Sequence, residues 1–248
     1  CLNESFVAWF TGDWERCFQV IDKGLEVSKS SGVRIHDFML YTQGVYGALG
    51  KGDLVLGRSY LQRMKAATIA DSVFHRALYH TLASTYAALS GKRDEAVQLQ
   101  RTTWTLTEQL GIPFPLAANH VTLASLLLEG GDMAQADEHQ RLAEEIGARM
   151  RSTWLDITCL LVRARKAWML GREAVGRDAL AKAMGLARTE GFANLHWWCP
   201  SVLAELCVKA LESGIETDYV RDLVRKRRLA PPTPPIHLED WPWVVKIR

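Results

Sequence analysis

Short marks of glycine followed by polar residues recur along the chain at nearly constant spacing, and this repeat constrains the fold more than any other feature. The marks end at residues 13, 53, 94, 132 and 172, which gives steps of 40, 41, 38 and 40 residues. A second glycine series divides these periods into segments of about 15–20 residues, the usual length of a globular helix. It consists of Gly32, Gly111, Gly147 and Gly191. A fixed period of this size indicates a helical-repeat architecture with two helices per repeat.

The segments between glycines have helical periodicity. Between residues 94 and 111, Ala96, Leu99, Leu106 and Leu110 recur in combinations of three- and four-residue steps, which places them on one helix face. The Asp of each Gly-Asp mark is a good N-cap because its carboxylate accepts the free N–H groups of the first turn. The preceding glycine can take the left-handed conformation that ends a helix. No segment has the alternating pattern or the turn of a β-hairpin.

These patterns predict an all-α fold, a tetratricopeptide-like α-solenoid of about five helical hairpins in a right-handed superhelix. Residues 1–229 should form ten or eleven antiparallel helices as one helical-repeat sensor domain. A single hairpin cannot bury its apolar faces, so each repeat must pack on a neighbour. We expect five tryptophans to pack between repeats. They are Trp9, Trp14, Trp104, Trp154 and Trp168.

Composition excludes several classes of protein. The 30 Lys+Arg against 28 Asp+Glu leave a net charge of +2, too small to draw the chain to nucleic acid or an anionic membrane. The five cysteines are an odd number without framework spacing, which favours a reducing compartment, and we expect a cytoplasmic protein. No apolar run reaches the roughly 18 residues of a membrane span. Because the chain begins with Cys1, we expect it to be a fragment of a longer protein.

The last 30 residues differ from the repeats. A helix predicted over 219–229 ends in the basic run Arg225–Arg228, and five of the eight prolines follow position 230. We expect residues 230–248 to be a Pro-rich linker and the start of a following domain that is absent. The basic run has two interpretations. It either complements the helix dipole in solvent or adds a phosphate contact beside an attached DNA reader.

This tail, together with the repeats, resembles MalT-type bacterial transcriptional regulators. The resemblance rests on Tyr219–Pro231, on Trp241-Pro242-Trp243 and on Val245-Lys246-Ile247-Arg248. It implies a sensor solenoid that binds a small-molecule inducer or a regulatory protein, beside a nucleotide-binding switch and a winged-helix domain. DNA would then be contacted only through a domain that is absent from this chain. The alternative is a free-standing tetratricopeptide scaffold or co-chaperone that binds peptide segments. The oligomeric state is open, with a homo-oligomer as one alternative.

Catalytic and metal motifs are missing from the sequence. Neither Gly-Lys pair completes the phosphate-binding G-x-x-x-x-G-K-[ST] loop, and no G-x-S-x-G elbow or H-E-x-x-H helix occurs. His75 and His80 are five residues apart and point away from each other on a helix. His196 and Cys199 share a face but lack the further ligands that zinc needs. We therefore expect no enzyme activity, no metal and no cofactor.

A candidate ligand surface follows from the architecture. In solenoids of this kind the first helix of each hairpin lines the concave groove. Counting back 7, 10 and 14 residues from each mark gives one stripe per first helix, because such steps stay on one helix face. Alternatively, small polar residues simply tolerate a solvated groove. The candidate groove residues are Gln43, Tyr46, His80, Ser84, Thr122, Ser125, Thr158 and Arg165.

Overall fold

The structure, a computed structural model, describes residues 1–194 and 199–232, and within these residues it contains α-helices and no β-strand. This confirms the predicted all-α class. Twelve helices are present in the described ranges instead of the ten or eleven predicted. They are α1 (Leu2–Thr11), α2 (Trp14–Ser31), α3 (Asp37–Lys51), α4 (Leu54–Ala66), α5 (Val73–Leu89), α6 (Arg93–Leu110), α7 (Pro113–Glu129), α8 (Met133–Met150), α9 (Thr153–Met169), α10 (Glu173–Glu190), α11 (Pro200–Glu212) and α12 (Thr217–Arg227).

Each pair of helices forms a hairpin, and the predicted marks are the hairpin turns. The glycines at all five marks have positive φ, between 70° and 84°. A sixth turn at Gly214, with φ 70°, escaped the sequence analysis because Ile215 follows it in place of a polar residue. The described residues therefore form six hairpins instead of about five, α1/α2 through α11/α12.

The helix caps agree with the sequence at three marks. The carboxylates of Asp13, Asp53 and Asp132 accept hydrogen bonds from backbone N–H groups in the first turns of α2, α4 and α8. The third mark is not a Gly-Asp pair, and there Lys92 is the N-cap residue of α6 and Asp94 lies in the first turn. There its charge still favours the positive end of the helix dipole.

Gly147 does not end a helix as the glycine series predicted. It lies buried inside α8, where a Cβ atom would come within 3.1 Å of the Leu155 Cβ atom of α9. The helix continues to Met150, and Arg151 takes the left-handed C-cap position with φ 51°. This glycine therefore serves close helix packing instead of chain reversal.

Neighbouring hairpins pack side by side, and first helices contact first helices, α1 with α3, α3 with α5 and α7 with α9. The buried apolar residues form one cluster in the first hairpins and a larger one from α7 onward. Trp9, Trp14 and Trp154 are buried in these clusters, and Trp104 and Trp168 pack partly buried against the larger one, as predicted. No helix in the described part of the chain has the length and apolarity to cross a membrane.

The first and last hairpins also contact each other, which the sequence did not predict. The Phe10 carbonyl accepts hydrogen bonds from the backbone N–H groups of Ala193 (2.7 Å) and Asn194 (3.0 Å). The Trp14 indole N–H donates to the Lys226 carbonyl at 2.8 Å. The row of hairpins therefore closes on itself, and we call these contacts, together with the Arg227–Asn194 hydrogen bond described next, the closing seam.

The basic run has an unexpected member at this seam. Arg225, Lys226 and Arg228 are exposed, but Arg227 is buried and its guanidinium donates to Asn194 Oδ1. Burial lowers the pKa of Arg227 to about 10. The interpretation of the whole run as solvated is therefore wrong for Arg227. Residues 233–248, with most of the predicted linker and the Trp-Pro-Trp segment, lie outside the described residues, as do His196, Trp197 and Trp198.

Candidate ligand-binding site

Four consecutive hairpins contribute to one cavity of about 70 Å³. It lies between α5, α7 and α9, the first helices of three hairpins, with α11 at one side. The walls are mostly aliphatic, with hydroxyl groups and one ion cluster. We call it the Arg165 cavity. Its lining residues are Thr85, Ala88, Leu89, Val121, Ser125, Leu126, Leu128, Glu129, Thr158, Val162, Arg165, Cys199 and Val202.

Arg165 connects three helices at this cavity. Its Nε donates to Glu129 Oε1 at 2.9 Å and its Nη2 to Glu129 Oε2 at 3.2 Å, a bidentate pair between α9 and α7. Its Nη1 donates to Glu205 of α11. The hydrogen bonds to Glu129 are the main reason why the pKa of Arg165 is raised. The side chain is only 20% exposed, so solvent screens this cluster less than it screens a surface ion pair.

The chemistry of the cavity follows from this cluster and from its size. One guanidinium faces two carboxylates, so the described residues of the site give it an excess of acceptors and no free cation for an anionic ligand. The Thr158 hydroxyl donates to the Trp154 carbonyl and leaves its oxygen available as an acceptor. A volume of about 70 Å³ holds a few water molecules or a small ligand group. Whole drug-sized ligands need roughly 300–1,000 Å³.

The structure brings together three of the predicted groove residues. Ser125, Thr158 and Arg165 all line the Arg165 cavity. Tyr46 is separate from them and lines a second cavity between α3, α5, α6 and α7. Its backbone carbonyl accepts a hydrogen bond from the Trp9 indole at 3.1 Å, and burial raises the pKa of its hydroxyl. His80 is half-buried in α5, its pKa is lowered mainly by burial, and its Nδ1 has no hydrogen-bond partner among the described residues.

The remaining predicted residues pack between helices. Ser84 is fully buried and donates to the Ala96 carbonyl of α6 at 2.8 Å, and Thr122 donates to the Ala118 carbonyl of its own helix. Gln43 is also buried, and its Oε1 has no partner in the described part of the structure. Gln43, Ser84 and Thr122 each lie ten residues before the end of a glycine mark. The residue at this position is buried in all four stripes. The residues at it, Gln43, Ser84, Thr122 and Val162, are 4%, 0%, 0% and 3% exposed. The stripe is therefore not one groove-facing surface.

Sequence reasoning missed both carboxylates of the ion cluster. Glu205 follows Arg165 by 40 residues, but the turn glycines of their hairpins, Gly171 and Gly214, are 43 residues apart, so the two do not occupy equivalent positions in their helices. Glu129 lies four residues after Ser125 on the same face of α7. The period therefore does not indicate Glu205. The pairing of Glu129 with Arg165 depends on the relative height of α7 and α9, which no spacing gives.

A buried histidine pair was also missed. His120 of α7 and His139 of α8 approach to 2.9 Å between their Nδ1 atoms, and the Trp104 ring of α6 lies edge-on to His139 with ring centroids 5.2 Å apart. Burial, and then the charge of His139, lowers the pKa of His120 to about 4. Both rings are therefore neutral at pH 7, and one Nδ1–H donates to the other nitrogen.

Other reactive residues are dispersed. The His75 ring stacks on Phe38, with centroids 3.7 Å apart. In residues 1–194 and 199–232 no group of three or more His, Cys, Asp or Glu side chains is placed to hold a metal ion. Burial raises the pKa of the Cys17, Cys159 and Cys207 thiols to about 12, which leaves them unreactive at neutral pH. No protein-family model matches the chain, and no curated protein matches it either.

Proposed function

We propose that the chain is the sensor domain of a bacterial cytoplasmic transcription regulator similar to MalT-type proteins. In this proposal it binds a small inducer or a regulatory protein through its first helices and relays binding to nucleotide-binding and DNA-binding domains of the same protein. The observation that carries it is the Arg165 cluster, because one side chain joins α7, α9 and α11 at a cavity.

The finer architecture belongs to the same proposal. A tetratricopeptide-like α-solenoid with a right-handed superhelical path is supported by the period of about 40 residues. Contacts between successive first helices and the glycine turn in each hairpin also support it. Such repeats contact only their neighbours along the row, so a change at one interface alters the path of the row. The closing seam adds one further contact, between the ends of the row.

Ligand binding at the cluster would be coupled to helix positions. A ligand group with hydrogen-bond donors that takes Glu129 or Glu205 from Arg165 would exchange one interhelical ion pair for a ligand contact. The ligand would then bind one spacing of α7, α9 and α11 better than another. Only such differential binding can shift a conformational equilibrium. This is how binding at the cavity would be transmitted along the hairpins.

The scaffold alternative is less well supported. A scaffold that captures peptide carboxylates needs free cations on the groove face. Two residues at the cavities with donors that could bind a carboxylate, Arg165 and Asn119, are both engaged. Arg165 faces two carboxylates, and the Asn119 side-chain amide donates to the Gln100 carbonyl. The acceptor-rich cavity favours a ligand that brings donors.

A matched pair of arginine variants tests the ligand site. Arg163 lies two residues from Arg165 on the same helix and pairs with Glu144 of α8 at 2.8 Å. A thermal-shift screen of small amines, sugars and amino acids would first identify a ligand. Because Arg165 competes with the ligand's donors for Glu129 and Glu205, Arg165→Met should then strengthen binding by about 1–3 kcal/mol. Arg163→Met should change it by less than about 0.5 kcal/mol. Equal effects of the two substitutions, with both variants folded, would place the site elsewhere.

The regulator context needs a separate test. The gene that encodes these residues should also encode a winged-helix domain after residue 248 and a nucleotide-binding domain before residue 1. Sequencing of the flanking DNA decides this. A gene without both domains would contradict the regulator assignment and leave the arginine comparison as an independent test of the cavity.

A further inference from the structure

The second cavity lies between the first halves of α5 and α7 and has a volume of about 130 Å³. Tyr46, Phe74 and Phe114 provide aromatic walls, and Leu78 and Leu110 provide aliphatic ones. None of its lining residues also lines the Arg165 cavity, which occupies the second halves of the same helices. We call it the Asn119 cavity.

Asn119 lines this cavity and has an acceptor oxygen without a partner among the described residues. The residue is 2% exposed, and its Nδ2 donates to the Gln100 backbone carbonyl at 3.1 Å. Because a carbonyl oxygen can only accept, this bond fixes the orientation of the amide and leaves Oδ1 on the other side. Oδ1 is buried, and no donor in the described residues reaches it. Buried polar atoms normally have a partner, so this oxygen indicates a donor that the described residues do not supply.

Two threonine hydroxyls at the same cavity are also acceptors. Thr81 donates its hydroxyl proton to the Ala77 carbonyl and Thr107 donates to the Trp104 carbonyl, each at 2.9 Å. With the protons so used, the two oxygens present lone pairs. All the described residues that line the cavity are uncharged. An anion would therefore meet acceptors without a compensating cation, and a neutral molecule with an N–H or O–H group would find a partner.

We propose that the Asn119 cavity binds a small uncharged molecule with an apolar body about the size of one aromatic ring and a hydrogen-bond donor that reaches Asn119 Oδ1. The size follows from the volume, since an apolar cavity of about 150 Å³ is large enough for benzene. Phenols, indoles and neutral aromatic amines belong to this class. The site is separate from the Arg165 cavity and does not depend on the proposed function.

Three probes of similar shape test the ligand class on the complete 248-residue chain. Phenol has a ring and a donor, toluene has the ring without a donor, and benzoate has a charged acceptor. Titration calorimetry should show phenol binding about tenfold more tightly than toluene, the ratio expected for one neutral hydrogen bond. Benzoate should bind more weakly than either. Absence of phenol binding, equal affinities for phenol and toluene, or stronger binding of benzoate would each overturn the proposal.

Two alanine variants locate the binding. Ala118→Leu fills the Asn119 cavity, and Ala88→Leu adds the same bulk at the Arg165 cavity. Phenol binding should be lost in A118L and kept in A88L, with melting temperatures confirming that both variants are folded. Binding that persists in A118L, or that is lost equally in both, would overturn the assignment to this cavity.

The role of Asn119 is tested by the ratio of affinities. In Asn119→Leu the affinities for phenol and toluene should become equal, because the acceptor is gone. If the leucine variant does not fold, Asn119→Ala removes the same oxygen without added bulk. A tenfold preference for phenol that survives in a folded variant would contradict the role of Oδ1.

Discussion

The closing seam and the junction of α6, α7 and α8 both bury polar side chains, and in both some atoms have no partner among the described residues, at the seam Asn194 Nδ2 and Arg227 Nε. The two regions differ in the hydrogen bonds that cross them. At the seam, the Trp14 indole donates to the Lys226 carbonyl and Arg227 donates to Asn194, across long sequence separations. At the junction, neither the Trp104 indole N–H nor the two amide atoms of Gln100 have a hydrogen-bond partner among the described residues. The polar contacts there include the histidine pair and the hydrogen bond from the Asn119 amide to the Gln100 carbonyl.

The difference shows which interactions hold the helices together in each of the two regions. Directional hydrogen bonds between distant segments hold the seam together. The loss of one donor or acceptor there should therefore lower the free energy of unfolding. The junction contains packed rings and a neutral histidine pair. Protonation of these histidines should therefore lower the free energy of unfolding more than the loss of one hydrogen-bond donor does. The following tests run from the largest expected effect to the smallest.

Acid should weaken the junction most. The folded chain protonates His120 only near pH 4, whereas the unfolded chain does so at an ordinary pKa of 6.5. The stability that this residue contributes is therefore complete above about pH 6.5 and is lost as the pH falls toward 4, at about 1.4 kcal/mol per pH unit and about 3 kcal/mol in total. Urea unfolding followed by circular dichroism between pH 4 and pH 8 measures this loss.

The control for the acid effect replaces both rings. In the double variant His120→Phe/His139→Phe no proton can be taken up at the pair, and two aromatic rings of similar size remain. This part of the pH dependence should therefore disappear. A slope that is unchanged in the double variant would assign the acid sensitivity to other histidines, of which His75 and His80 also have lowered pKa values.

At the seam, Asn194→Ala should destabilise the protein by about 2 kcal/mol, because it removes the acceptor of a buried charged donor. The guanidinium of Arg227 would remain buried without that bond. Unfolding free energies for Asn194→Ala, Arg227→Met and the double variant form the test. The Asn194 substitution should cost much less once Arg227 is methionine. Equal costs in both backgrounds would show that the hydrogen bond contributes nothing.

Substitution of Trp14 at the seam and of Trp104 at the junction compares the two regions directly. Trp14→Phe and Trp104→Phe remove the same ring atoms, but only the first breaks a hydrogen bond within the described structure. Trp14→Phe should therefore be more destabilising by about 1 kcal/mol. It should also speed hydrogen exchange at the Ala193 and Asn194 amides, which donate to Phe10. Equal costs, with no change in exchange at these two amides, would mean that the indole bond does not hold the seam.

The smallest effect is expected outside both regions, at an exposed ion pair. Arg141 and Glu145 form an exposed i,i+4 pair on α8, with more than half of each side chain in solvent. Arg141→Ala should change the unfolding free energy by less than about 0.5 kcal/mol. This variant gives the background against which the seam and junction effects are compared. A larger loss of unfolding free energy would show that exposed ion pairs stabilise the hairpins more than expected for surface pairs.

Periodicity predicted the helices and turns well because these depend on neighbours within a few residues. Glycines such as Gly52 and Gly131 adopt the left-handed turn, and Asp53 and Asp132 cap the next helix, as their spacing indicates. It predicted the site less well. Ser125, Thr158 and Arg165 meet at one cavity, whereas Ser84 and Thr122 pack between helices. A three-residue step turns a helix by 300°, so members of one stripe can face different neighbours.

The sequence by itself determined an all-helical chain of repeated hairpins, because capping, turn conformation and helix periodicity are local properties. Only the tertiary structure decided which carboxylates meet Arg165, that Arg227 is buried, and that Phe10 and Trp14 reach the far end of the chain. These contacts depend on the relative height and rotation of helices that are distant in sequence. Small differences in packing at each hairpin add up along the row, and no residue spacing records their sum.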